Sequence, residues 1–248
     1  MIVLDLDLDF FVSGIVDNAA DFRVSEGKIY SWDIDRFCDF LESKCKLSKN
    51  SRAKGCMVKK HHGCYLAWRE LVQKADLKIP FDVIHVDAHS DFGLGSSSWT
   101  EVVFDLLHRE VRDRAYPSKL NEGNYLTYAI ANRWIKEISF VQHPNWEMDY
   151  MQIYMKDFND FSGYIELKGY EKQSVLDYPS LFKIKPKVVE TAVKLNELTE
   201  KEFRLETKPD YVFISQSPSY TPQSADRLLD VFKEYIEEIV FDGDVLKI

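Results

Sequence analysis

Apolar residues in this chain follow two rhythms. Short, nearly continuous apolar runs occupy residues 2–10, 81–86, 138–142, 164–167 and 211–215. Runs of that length, apolar on both faces, mark buried parallel strands. Between them the spacing opens to three and four. Ile34, Phe37 and Leu41 recur in 33–45, behind a possible cap at Ser31, and Tyr65, Trp68, Leu71, Val72 and Ala75 in 64–75. Val103, Phe104, Leu107 and Val111 recur in 100–111, and Leu228, Leu229, Phe232, Ile236 and Ile239 in 223–240, after Pro222. This spacing predicts helices with one face on a core. Strands alternating with helices predict the α/β class: a three-layer αβα sandwich on a mainly parallel sheet, a single domain over 1–248. Residues 168–205 are poorly periodic, with a strand expected near 188–195.

Two of the strand-like runs are loaded with acids. The first carries Asp5, Asp7 and Asp9; the second closes on Val86-Asp87-Ala88-His89-Ser90-Asp91. If the backbone stays extended there, the two-residue period sets Asp87, His89 and Asp91 on one face of the strand end. Parallel sheets bind ligands outside the carboxyl ends of their strands. His61 and His62 lie just before a predicted helix, and one of the pair, His61 for preference, completes a set of four carboxylates and two imidazoles. That set predicts a binuclear metal site, with cations about 3.5–4 Å apart and a water activated between them. Carboxylate with imidazole suits manganese, iron, zinc or nickel, and four carboxylates favour two Mn2+. Asp5, deeper on the same face, is expected to orient a ligand by hydrogen bonding rather than to bind metal. His85 and His108 are read as structural.

The net charge of −9 disfavours nucleic acid or an anionic membrane as partner and suits a basic peptide or a guanidinium. No apolar run reaches about 18 residues, so no membrane span is expected. No cationic segment or cleavage site opens the chain, which reads as cytoplasmic. Cys38, Cys45, Cys56 and Cys64 form no C-x-x-C pair and read as reduced thiols. Gly93-Leu94-Gly95 lacks the lysine and spacing of a phosphate loop and reads as a loop beside the site.

The residues 86–91 resemble the D-A-H-x-D motif of the arginase–deacetylase (ureohydrolase) superfamily, and Asp7-Leu8-Asp9 resembles its D-x-D strand, with His61 or His62 as its isolated metal-binding histidine. With Phe10-Phe11, Glu122-Gly123-Asn124-Tyr125-Leu126 and Ser217-Pro218-Ser219-Tyr220-Thr221-Pro222, the chain is similar to the peptide-arginase branch over most of 1–145 and 210–222. The resemblance implies an arginase-like fold with permuted motif order, because the D-x-D strand here comes first and is followed by Phe10-Phe11-Val12 rather than x-x-D-P. It implies hydrolysis of an amidine C–N bond with manganese. The substrate would be arginine in a ribosomally made precursor peptide, or a small guanidino compound, giving ornithine and urea by attack of a metal-bridging hydroxide. Carried over by position, Asp87 and Asp7 would bridge, Asp91 and the early histidine would complete one metal, and His89 with Asp9 the other.

The permutation leaves the guanidinium-binding acid and the proton donor to be sought by chemistry. Glu122, with Glu166 behind it, is the expected bidentate acid. Asn124, in a loop like the S-G-N of arginases, is expected to position substrate, and His143, past the 138–142 strand, to deliver the proton. Two other classes compete. Asp5-Leu6-Asp7 after an apolar strand resembles haloacid-dehalogenase phosphatases, which use magnesium and an aspartate nucleophile. The other is a non-catalytic, metal-stabilised peptide-binding domain.

Overall fold

The computed structural model describes residues 1–16, 23–93, 97–172 and 177–241. Among the described residues ten strands occur: β1 (Ile2–Asp7), β2 (Ala53–Val58), β3 (Phe81–Asp87), β4 (Ile135–Gln142), β5 (Tyr164–Ile165), β6 (Lys168–Gly169), β7 (Val188–Val189), β8 (Val193–Thr199), β9 (Tyr211–Ser215) and β10 (Ile236–Glu238). Eight of them form one sheet in the order β10-β2-β9-β1-β3-β4-β8-β5, parallel throughout except for β5 against β8. The α-helices are α1 (Ile34–Asp39, continued by a π turn Phe40–Lys44), α2 (His62–Gln73), α3 (Trp99–Phe104), α4 (Tyr125–Ala131) and α5 (Arg227–Phe232).

The two faces of the sheet carry separate cores, as a three-layer sandwich requires. Val3, Val83, Ile138 and Phe213 pack with α2, α3 and α4 through Trp68, Val103 and Tyr125. Leu4, Leu6, Ile84, Val86 and Ile214 pack with α1 and α5 through Phe37, Leu228 and Phe232. Alternation then decides where the polar residues of the strands point. Asp5 and Asp7 share the face of Val3, and His85 and Asp87 the face of Val83, so all four lie under the α2–α4 layer.

Several expectations need correction. The first strand stops at Asp7, whose side chain accepts the Asp9 N–H and opens a 3-10 turn over Leu8–Phe11. The expected 164–167 strand is only the pair Tyr164–Ile165, and 188–195 divides into β7 and β8. The helix expected over 223–240 gives way to β10. β2 carried no strand signal because its sequence, AKGCMV, holds a glycine and a lysine. That glycine is what permits the pairing: a Cβ at Gly55 would lie 2.1 Å from the Val212 carbonyl oxygen of β9. The helix α4 also went unread. All four cysteines are free thiols. Residues 94–96 of the glycine loop lie outside the described residues. Among the described residues, no helix is long and apolar enough to cross a membrane.

Candidate metal centre

The carboxyl ends of β1, β3 and β9 meet at one cavity of about 510 Å³. Asp7 ends β1 and Asp87 ends β3; Ser215 ends β9, in register with Asp7. The backbone does not stay extended past either acid. After β1 it coils into the 3-10 turn that carries Asp9. After β3 it bends, and Asp91 takes a left-handed conformation with φ 56°. Asp9, His89 and Asp91 therefore reach the cavity by turns, not by the alternation of a strand. From α2 comes His61. A Cβ on Gly63 would lie 2.8 Å from Val58 Cβ, so glycine lets α2 begin hard against the end of β2 and sets His61 over the strand ends.

His61 Nδ1 lies 3.0 Å from Asp7 Oδ2, 2.9 Å from Asp87 Oδ2 and 3.1 Å from Asp91 Oδ2. His61 Nδ1 and the Asp87 and Asp91 oxygens are buried without a hydrogen-bond partner. The other ring nitrogen, Nε2, is 3.2 Å from the Asp5 carboxylate, which can only accept while ionised, so Nε2 carries a hydrogen and Nδ1, facing three oxygens, is the nitrogen that would bind a cation in exchange for a proton. A parallel arrangement holds His89: Nε2 donates to the Val16 carbonyl at 3.1 Å, and Nδ1 lies 3.0 Å from Asp9 Oδ2 and 3.7 Å from Asp87 Oδ1. Two imidazole Nδ1 atoms thus face four carboxylates. Spacings of 2.9–3.1 Å around His61 match the edge of an octahedron, about 3.0 Å, for a divalent cation bound at about 2.1 Å. The donors fit such an ion, and carboxylate with imidazole is the chemistry of manganese and its neighbours.

Electrostatics points the same way. Burial raises the Asp91 carboxyl to about 7, and Asp87 adds to the shift. Burial, Asp7 and Asp87 together push Asp9 well above the carboxylate range. Burial opposes ionisation of Asp87 as well, but the imidazoles of His85, His61 and His89 hold it below its ordinary value. Like charges this close cannot all ionise without a cation between them.

Around these groups lies a bonded frame. Asp5, fully buried, accepts from His61, from His85 Nδ1 at 3.3 Å and from the Tyr125 hydroxyl. Its pKa is driven down: burial opposes this, but His61 and His85 prevail. His85 Nε2 bonds the His89 carbonyl at 3.1 Å while its Nδ1 bonds Asp5, so the ring ties the turn after β3 to β1. The hydroxyls of Ser215 and Ser217 donate to Asp7 Oδ2 at 2.6 and 2.5 Å. Asp5→Asn removes the charge that orients His61 and is expected to weaken manganese binding about 10–100-fold, read by calorimetric titration with MnCl2. Unchanged affinity would show that Asp5 serves the fold alone.

The other expected residues fare differently. His62 opens α2 about 100° around the helix from His61 and faces Glu122, Nδ1 to Oε2 3.5 Å, not the carboxylate cluster. Glu122 lines the cavity; contact with His62 and, further, Lys60 hold its carboxyl down to about 2. Asn124 does not line it: the amide closes its own loop, accepting from Asn121 N–H and donating to the Lys119 carbonyl, both at 2.8 Å. His143 also lies outside its wall. Nε2 donates to the Val12 carbonyl at 2.9 Å, Nδ1 accepts from Asn145 N–H at 3.1 Å, and burial lowers its pKa. Glu166 sits beyond β5 and pairs with Lys168 Nζ at 2.9 Å. Ser217 opens a segment that carries the resemblance, though without a role, whereas Asp149, Glu147 and Ser215 were not read from the sequence as site residues. They stand far along the chain from the acid strands and carry no local motif. Tyr220, of the same segment 217–222, lines the cavity and stands beside the His89 ring with centroids 5.0 Å apart.

The chain matches no protein-family model and no curated protein.

Proposed function

We propose that this protein is a binuclear manganese hydrolase of the arginase type, with permuted motif order, that cleaves the guanidinium C–N bond of arginine in a precursor peptide to give ornithine and urea. The observation that carries the reading is the unpartnered His61 Nδ1 facing Asp7, Asp87 and Asp91 oxygens at 2.9–3.1 Å, with His89 and Asp9 beside them. The resemblance of Asp87–Asp91 and Asp7–Asp9 to the ureohydrolase motifs supports it from the sequence side.

Asp87 faces His61 with one oxygen and His89 with the other, the placement expected of a carboxylate shared by two cations. Asp7 and Asp91 would hold one ion with His61, and Asp9 with His89 the other. When bound, two such cations acidify a water towards neutral pH and offset the charge developing at the carbon under attack. The protein's own residues supply the rest. The cavity wall carries seven carboxylates (Asp7, Asp9, Asp87, Asp91, Glu122, Glu147 and Asp149), and among the described lining residues no lysine or arginine. A cationic guanidinium is drawn to such a wall, and a phosphate repelled. Glu122 and Glu147, which belong to none of the metal positions, are the acids left to take guanidinium N–H groups. Ser215 and Ser217 keep Asp7 turned to the cavity.

The phosphatase reading lacks support, because Asp5 is fully buried with its oxygens committed to His61, His85 and Tyr125. The test is incubation of the manganese-loaded chain with arginine-containing peptides, free arginine and agmatine, read by mass spectrometry and urea release. Ornithine in peptides but not from the free amino acid is the expected result. Bound manganese with no conversion of any of the three would reduce the protein to a metal-stabilised binding domain.

A further inference from the structure

We propose that Asp149 is a positioning residue that holds the turn Ala88–Asp91 in the shape that presents His89 and Asp91 to the cavity together; this rests on the metal-binding reading above. The chain leaves the extended conformation and bends within four residues of the end of β3. It does so with Asp91 at φ 56°, a region unfavourable for any residue bearing a Cβ. Such a turn persists only where its surroundings over-determine it.

Its three successive N–H groups show how. Each is taken by a carboxylate: Ala88 N–H by Asp9 Oδ1 at 3.2 Å, His89 N–H by Asp87 Oδ1 at 2.7 Å, and Ser90 N–H by Asp149 Oδ2 at 2.9 Å. Asp9 and Asp87 are themselves candidate ligands, and a cation competes for the same oxygens. Asp149 is the member outside the ligand set, and its bond falls on the residue between the two ligands it would align. Its second oxygen accepts from Trp146 Nε1–H at 3.0 Å. Trp146 in turn packs on Phe140 of β4 and on Tyr150, with centroids at 5.5 and 5.3 Å. The turn is thereby anchored to the segment after β4 rather than to the metals alone. Although Asp149 lines the cavity, both its oxygens are committed, so it is neither a further metal donor nor a free acid for substrate.

The experiment is manganese titration of the full chain, followed by calorimetry and by the Mn(II) electron paramagnetic resonance spectrum. It compares wild type with Asp149→Ala, Asp149→Asn and Trp146→Phe, and reads the melting temperature of each in chelator. Asp149→Ala is expected to bind manganese about 10–100-fold more weakly. Asp149→Asn, whose amide oxygen still accepts the Ser90 N–H, is expected to recover most of that loss. Trp146→Phe, which keeps the Ser90 N–H bond to Asp149 and removes only the bond that anchors Asp149, is expected to weaken binding by less than Asp149→Ala. If Asp149→Asn binds as weakly as Asp149→Ala, the carboxylate acts through its charge and the inference fails. If Trp146→Phe weakens binding as much as Asp149→Ala, the effect is general loosening and the inference also fails. Wild-type protein that binds no manganese overturns the underlying reading; wild type that binds while Asp149→Ala binds equally well overturns this inference alone.

Discussion

Asp87→Asn is expected to hold at most half the manganese of wild type and to lose turnover by at least about 100-fold, the scale of removing a group that serves two cations. Asp87 is the residue that faces both imidazoles, Oδ2 at 2.9 Å from His61 Nδ1 and Oδ1 at 3.7 Å from His89 Nδ1. An asparagine keeps its volume but has one oxygen in place of two, and its NH2 donates where a cation needs a lone pair. It also removes one negative charge from the centre of the cluster. Elemental analysis after manganese loading and gel filtration reads the first effect directly. About two ions in wild type and none or one in the variant is the expected outcome. Equal occupancy in both proteins would mean that the Asp7–Asp87–His61 cluster is not the metal centre.

Manganese is expected to raise the melting temperature by about 8–16 °C, and chelator to reverse it. The estimate follows from ligand linkage: free ion at about 1,000 times its dissociation constant stabilises by about 4 kcal/mol. A chain of this length gains about 2–4 °C for each of those. The effect should depend on pH with a definite sign. Asp91, raised to about 7, and Asp9, raised by burial and neighbouring carboxylates, bind protons in the metal-free fold that they release when unfolded. For His61, burial opposes protonation, but Tyr125, Asp5 and Asp7 outweigh it and raise its pKa, an effect of the same sign. Folded pKa values above the unfolded ones give stability that is full at low pH and fades as pH rises through the folded values. Asp5 and Asp87, held below the ordinary carboxylate value, keep their contribution across the neutral range. Metal-free protein should therefore lose stability as pH rises from about 4, the unfolded carboxyl value, through about 7, while the manganese increment grows as fewer protons must be displaced. Scanning calorimetry at three pH values, with and without chelator, checks both signs. A manganese increment that shrinks with rising pH would mean that protons are not leaving the cluster when the ion enters.

What the amino-acid sequence determined by itself was set by short-range geometry. The apolar runs at 2–10, 81–86 and 211–215 declare strands of a mainly parallel sheet covered on both faces, although the first strand itself stops at Asp7. The acids closing two of those runs declare a site, because parallel strands release their ligands at their carboxyl ends. The chain also carries in its order which histidine pair precedes α2, but not which member turns inward. That choice belongs to the packing of Gly63 on Val58, which fixes the rotation of the helix and points His61 at Asp7, Asp87 and Asp91 and His62 at Glu122.

Tertiary structure alone decided the rest, for a physical reason common to each case: the partner is distant in sequence and its own surroundings look ordinary. β2 is a strand because Gly55 lets its backbone lie against Val212, not because AKGCMV favours extension. Ser215 and Ser217 serve Asp7 because β9 pairs with β1 in register. His143 looked well placed at a strand end, yet both its nitrogens are taken by backbone, one of them by Val12, 131 residues earlier. Asp149 grips Ser90 across 59 residues. Strand pairing and helix seating create these contacts after the local structure is made, and no pattern within a single segment encodes them.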